Sequence, residues 1–170
     1  MDFDMPEHVR EIRYRVQQFI ENEIYPVEDV LEESGEESTA MMRGLMQKAK
    51  QEGLWALGHP KEIGGHGLPF LDYVFVNEVV GRAPAAMVAL GTHSLQDSIM
   101  LHMHASDSWR AQYLEPLVQG DIFPSFAMTE PSVASSDPTQ LQTRAVFEGD
   151  EWVINGRKWF TTGAHVAAYT

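Results

Sequence analysis

Residues 126–140 read FAMTEPSVASSDPTQ, a short apolar run giving way to Thr129, Glu130, Ser132, Ser135, Ser136 and Asp137. Residues 122–128 upstream of the hydroxyls read as a β-strand, so the polar cluster falls where a strand ends. Small side chains there allow close approach of a ligand, and backbone N–H groups turn outward. About twenty-five residues on, a second predicted strand, 157–162, ends in the same style, KWFTTGA. Two neighbouring strand ends of this kind offer a ring to stack on, hydroxyls for ring heteroatoms and serines for a phosphate. That set suits a flat aromatic cofactor with a diphosphate tail; on periodicity alone, ordinary strand-end loops account for it too.

Between these stretches, residues 143–147 and 151–154 read as strands joined by a turn at EGDE. Asn155-Gly156 predicts a type I′ turn, because both positions tolerate positive φ. Upstream the period changes to that of helices. Val9, Ile12, Val16, Phe19, Ile20 and Ile24 form one apolar face that stops near Pro26. A second helix is expected from an N-cap at Ser38 or Thr39 to Gly53, and a third after Asp72. Residues 85–104 are nearly free of charge, which predicts one continuous helix buried on all sides. Ser106 opens a shorter helix ending before Gly120. The expected fold class is therefore α+β: an all-α helical bundle over 1–120, then the first strands of a β-domain over 121–170.

Composition narrows the function classes. The 170 residues hold 25 acids against 12 Lys and Arg, a formal charge of -13, which leaves no basic stripe for nucleic acid. No apolar run approaches the ~20 residues that span a bilayer. The start, MDFDMPEHVREIRYRV, lacks the basic and apolar segments of a secretory signal, and cysteine is absent. A cytoplasmic location is the resulting expectation. The eight acids between Glu21 and Glu37 read as a solvated helix end. His102 and His104 lie two apart on a helix and cannot easily share an ion with His93, so no metal site is expected. GHPKEIGGHGLPF (58–70) lacks the lysine of a phosphate-binding P-loop, and its glycines serve backbone turns.

The order of motifs resembles the acyl-CoA dehydrogenase family. Ala127-Met128-Thr129-Glu130-Pro131 followed by Ser136-Asp137 resembles the family's flavin-strand motif, with one residue more than its common spacing. That longer spacing resembles the branch of acyl-CoA dehydrogenase family members 10 and 11. PKEIGGHGL, WRAQYLEPLVQGD and VINGRKWFTTGA resemble further family segments in the same order, so the resemblance covers nearly the whole chain.

The resemblance implies an FAD-dependent α,β-dehydrogenation of an acyl-CoA thioester. The strand from Phe126 would lie along the isoalloxazine, with Met128 and Thr129 at its pyrimidine edge. Ser136, with Ser135 beside it where the family often has Gly, matches the serine at the FAD diphosphate and the substrate thioester. Phe160 falls where the family usually has Trp beside the flavin, followed by Thr161, and Thr162 matches the hydroxyl near N5. The family's catalytic base is a glutamate of a C-terminal helical region that these residues do not match, so no catalytic residue is expected here. The chain is expected to be a fragment, inactive alone and belonging to a homo-oligomer that passes electrons to an electron-transfer flavoprotein. A flavin monooxygenase or nitroalkane-oxidising relative on the same scaffold is the alternative enzyme reading. A non-catalytic truncated paralogue acting as an interaction module is the alternative outside catalysis.

Overall fold

The structure, a computed structural model, describes residues 4–170; Met1–Phe3, the first part of the start read above for a secretory signal, lie outside the described residues. The chain divides into two compact units, Met1–Asp121 and Ile122–Thr170. The first is helical and the second carries an antiparallel hairpin. The α+β expectation, helices followed by opening strands, holds.

Helix α1, Glu7–Phe19, buries Val9, Val16 and Phe19, the stripe expected from the three- and four-residue spacing. It does not end at Pro26. A wider π turn, Ile20–Ile24, and a 3-10 turn, Tyr25–Val27, carry the chain past the proline into α2, Glu28–Glu32. Pro26 sits in the first turn of a helical segment, where its missing N–H costs no hydrogen bond. Helix α3, Glu36–Gln51, starts ahead of the expected cap, and the Thr39 hydroxyl donates back to the Gly35 carbonyl at 2.8 Å. Helix α4, Phe70–Val80, likewise begins before Asp72, straight after Pro69. Asp72 is no cap; its carboxylate hydrogen-bonds His8 on α1 at 3.0 Å. Val76, Val79 and Val80 of α4 join α1 in the core, while Arg13 and Glu78 close its rim at 2.6 Å.

Residues 85–104 overturn the expectation of one helix buried all round. The chain forms α5, Ala86–Ala89, breaks at Gly91 (φ +71°), passes through a 3-10 turn at Thr92–Ser94 and resumes as α6, Leu95–His104. The cause is Trp55: a Cβ on Gly91 would sit 2.8 Å from its indole, so glycine is required twice over, for conformation and for space. The indole Nε1–H is anchored on the Val118 carbonyl at 2.8 Å. Small side chains supply much of the burial, Ala86, Ala89 and Ser98 being fully covered, while Met100 and Met103 stand half to two-thirds exposed. Lack of charge in this segment therefore marks close packing on one face only.

Ser106 caps the next helical run as expected, its hydroxyl accepting the Trp109 N–H. That run, α7 (Asp107–Trp109), a π turn (Arg110–Leu114) and α8 (Glu115–Gln119), ends at Gly120 in a left-handed conformation.

In the second unit β1, Arg144–Glu148, pairs with β2, Glu151–Asn155. Gly149 and Asp150 both have positive φ (58° and 80°), so the mirror-image hairpin turn lies at EGDE. Asn155-Gly156 is not such a turn: neither residue has positive φ, and Asn155 is the last paired residue of β2. Gly156 is there for space, because the Thr143 side chain occupies the position of its missing Cβ. The two other expected strands do not form. Residues 122–128 make only an isolated bridge between Pro124 and Tyr169, flanked by the bonds Ala168 N–H to Phe123 O and Ser125 N–H to Tyr169 O. Pro124 has no N–H to continue a ladder. Residues 157–162 are irregular, with Phe160 at φ +53°.

Candidate functional site

The hydroxyl-rich stretch is organised by its acid. Glu130 is 5% exposed. Its Oε2 accepts the Gln142 N–H at 2.7 Å, and its Oε1 accepts the Thr143 N–H and the Lys158 ammonium, both at 2.9 Å. A buried carboxylate is tolerable only when paired and hydrogen-bonded, and this one is both. Hydrogen bonding from Thr143, then from the Gln142 amide and Lys158, holds its carboxyl down at about 2.

Lys158 has a second partner. The same Nζ donates to the Met128 carbonyl at 3.0 Å. One step further, the Trp159 N–H donates to the Thr129 carbonyl at 2.9 Å. Residues 128–130 and 158–160 thus run side by side along a seam closed by one ion pair. The Glu130 N–H donates to the Ser135 hydroxyl at 2.6 Å, which returns a bond to the Glu130 carbonyl at 3.2 Å. Ser135 therefore folds the loop back onto its own start. Asp137 is also occupied locally, accepting from the Thr139 hydroxyl at 2.6 Å, the Gln140 side chain at 2.9 Å and the Thr139 N–H at 3.1 Å. These bonds, the Thr139 hydroxyl foremost, hold its carboxyl below the usual range.

The residues expected at a ligand fall into two groups. Met128, Thr129, Ser135 and Phe160 belong to the seam or are bonded into it. Phe126 is 63% exposed, and among the described residues no hydrogen bond ties Ser136, Thr161 or Thr162 to the seam. The Thr161 carbonyl accepts the Ala164 N–H at 3.2 Å, and the Ser136 and Thr162 side chains are exposed. Phe160 meets Trp159 edge-on at 5.5 Å between centroids, yet its ring is 82% exposed. Left-handed φ at an aromatic residue is uncommon and costs on the order of 1 kcal/mol. Phe160 thus combines a left-handed backbone with an open ring.

Lys158 carried no sequence-based role, and Glu130 counted only as a member of its motif. One signal was available: Lys158 is the single lysine of residues 62–170. A lone ammonium two residues before an exposed aromatic, in a unit with a buried acid, calls for a partner.

Comparison with known proteins identifies the family and the fold. Residues 6–121 match the family model of the acyl-CoA dehydrogenase N-terminal domain, and residues 125–170 match that of the middle domain. Acyl-CoA dehydrogenase family member 11 of Mus musculus is 33% identical over 166 residues, 91% of this chain and 21% of that protein. A solved protein of Mycobacterium abscessus with a provisional acyl-CoA dehydrogenase assignment superposes with a TM-score of 0.82 at 35% identity, covering 94% of this chain and 43% of its own. An acyl-CoA dehydrogenase of Bacillus anthracis, solved in complex with FAD, gives 0.71 at 26% identity over 96% of this chain and 28% of its own. The chain thus spans less than half the length of each of these relatives. With both domain models matched in order along nearly its whole length, the chain belongs to the acyl-CoA dehydrogenase family.

Proposed function

We propose that Met128, Thr129, Phe160 and Thr162 form the isoalloxazine-facing part of an FAD site, with the Glu130–Lys158 pair behind them, in a protein that dehydrogenates an acyl-CoA thioester at its α and β carbons. The carrying observation is the side-by-side pairing of Thr129 with Trp159, which brings an exposed ring, Phe160, next to a backbone edge. The residues fit the group. In the trans peptide between Met128 and Thr129 the N–H points opposite the carbonyl. Lys158 holds that carbonyl, so the Thr129 N–H faces away from the ammonium and is a candidate donor to the pyrimidine edge. The acid nearest the seam is neutralised by Lys158 and two amides, so it presents no bare charge to an electron-rich ring.

FAD, when bound, would accept the hydride leaving the β carbon. This chain's residues bind and orient. The exposed Ser136 hydroxyl is assigned to the diphosphate and thioester region, Thr162 to the flavin's reacting edge, and Ser135 to the turn that positions Ser136. Glu130 is unsuited to proton abstraction: a carboxylate at about 2 with both oxygens occupied is a poor base for work near neutral pH. Glu130 is therefore not assigned as the α-proton acceptor.

Titration of the chain with FAD, followed by flavin fluorescence, tests the reading. Saturable quenching that weakens when Phe160 is replaced by Ala supports it; unchanged affinity in Phe160→Ala contradicts it.

A further inference from the structure

Lys158 does two separable things. It pairs with Glu130, and it takes the Met128 carbonyl, which fixes the direction of the Met128–Thr129 peptide plane. The next peptide plane is fixed independently, its carbonyl on Trp159 N–H and its N–H on Ser135. Only the first therefore depends on a side chain for its carbonyl. Without Lys158, the Met128 carbonyl would lose its donor inside a partly buried seam, and rotation of the plane would swing the Thr129 N–H away from the ligand side.

We propose that Lys158 is a positioning residue of the flavin site: its bond to the Met128 carbonyl holds the Thr129 N–H outward for the flavin's pyrimidine edge, while Glu130 cancels its charge. The proposal rests on the FAD reading above. It separates Lys158 from Glu130, which a purely structural ion pair would not do. Both Lys158→Met and Glu130→Gln break the pair, but only the first removes the carbonyl's donor.

The test compares Lys158→Met, Glu130→Gln and Lys158→Gln with the wild-type chain by FAD titration and, without flavin, by the amide resonance of Thr129. That resonance reports what its own peptide carbonyl accepts. Lys158→Met is expected to weaken FAD binding by roughly ten-fold or more and to move the Thr129 resonance. Glu130→Gln should stay within about three-fold and leave that resonance in place, although Gln142 and Thr143 exchange their amides faster. Lys158→Gln, which keeps an N–H donor without the charge, should recover most of the affinity and guards against misfolding in the methionine variant. Equal losses in Lys158→Met and Glu130→Gln, with Lys158→Gln no better than methionine, would overturn the positioning role and leave a structural ion pair. A wild-type chain that leaves FAD free overturns the flavin reading itself, and the role of Lys158 with it.

Discussion

The two units bury opposite kinds of side chain. In the helical unit the covered residues are almost all apolar, from Val9 and Ile20 through Leu54, Val76 and Leu90 to Leu117. In the β unit the described residues with comparable burial are Ser125 and Glu130, both polar. The large apolar side chains of its hairpin are turned out: Phe147 and Trp152 pair at 5.3 Å on one face, 57% and 67% exposed, with Ile154 beside them. The helical unit is held by removal of apolar area from water, the main driving force of most folding. The β unit is held by directed bonds that converge on one carboxylate. The first kind of cohesion is tolerant of detail, whereas the second specifies the positions of a few backbone groups, as a binding site needs.

The widest contrast should come from truncation. Leu90→Ala, at a 1% exposed site, is expected to cost the helical unit about 2–5 kcal/mol. Urea unfolding followed by Trp fluorescence measures it, and a cost below about 1 kcal/mol would break the contrast.

Acid should separate the units next. His59 is buried against Ser94 (3.1 Å), and burial, with His93 nearby as a lesser cause, lowers it from 6.5 to about 4. Below 6.5 the unfolded chain binds a proton that the folded one refuses, so stability falls with pH until about 4. The loss is up to about 3 kcal/mol. Glu130 is lowered as well, so acid weakens it too, but in a lower window. Its bonded carboxylate contributes stability above the ordinary value of 4.5, lost only as pH falls toward about 2. The helical unit should therefore loosen between pH 6.5 and 4, while the Gln142 and Thr143 amides stay protected. Amide exchange across that range reads both, and His59→Gln should flatten the first transition.

The smallest effect is expected from a larger side chain than Leu90. Trp152→Ala should change stability by under about 1 kcal/mol, because two-thirds of the ring already lies in water. It should instead lower self-association, since Trp152, Phe147 and Ile154 form an open apolar face. Sedimentation of wild type and variant at matched concentration checks this.

These contrasts also explain what was legible in the sequence. Helical spacing located α1, because burial there follows side-chain size, and Ser106 and EGDE announced their cap and turn by local chemistry. The break at Gly91 depends on Trp55, 36 positions away, and no local pattern carries it. Pro124 was visible, and reading residues 122–128 as a strand across it underweighted its missing N–H. Asn155-Gly156 carries the strongest short hairpin signal in the chain, yet the glycine serves the Thr143 side chain. At the candidate site, the exposed residues came from resemblance to a family. The seam itself, Glu130 with Lys158, joins positions 28 apart through side chains, and only the fold reveals it.

The central claim is that the polar-cored β unit presents Met128, Thr129 and residues 160–162 to a flavin. It is tested most directly by following backbone amide resonances of the chain as FAD is added. The account predicts saturable shifts concentrated at Thr129, Ser136 and Phe160–Thr162, with the core of α1 and α4 unmoved. Saturable binding that leaves those residues unshifted, or that moves the helical core instead, would contradict it.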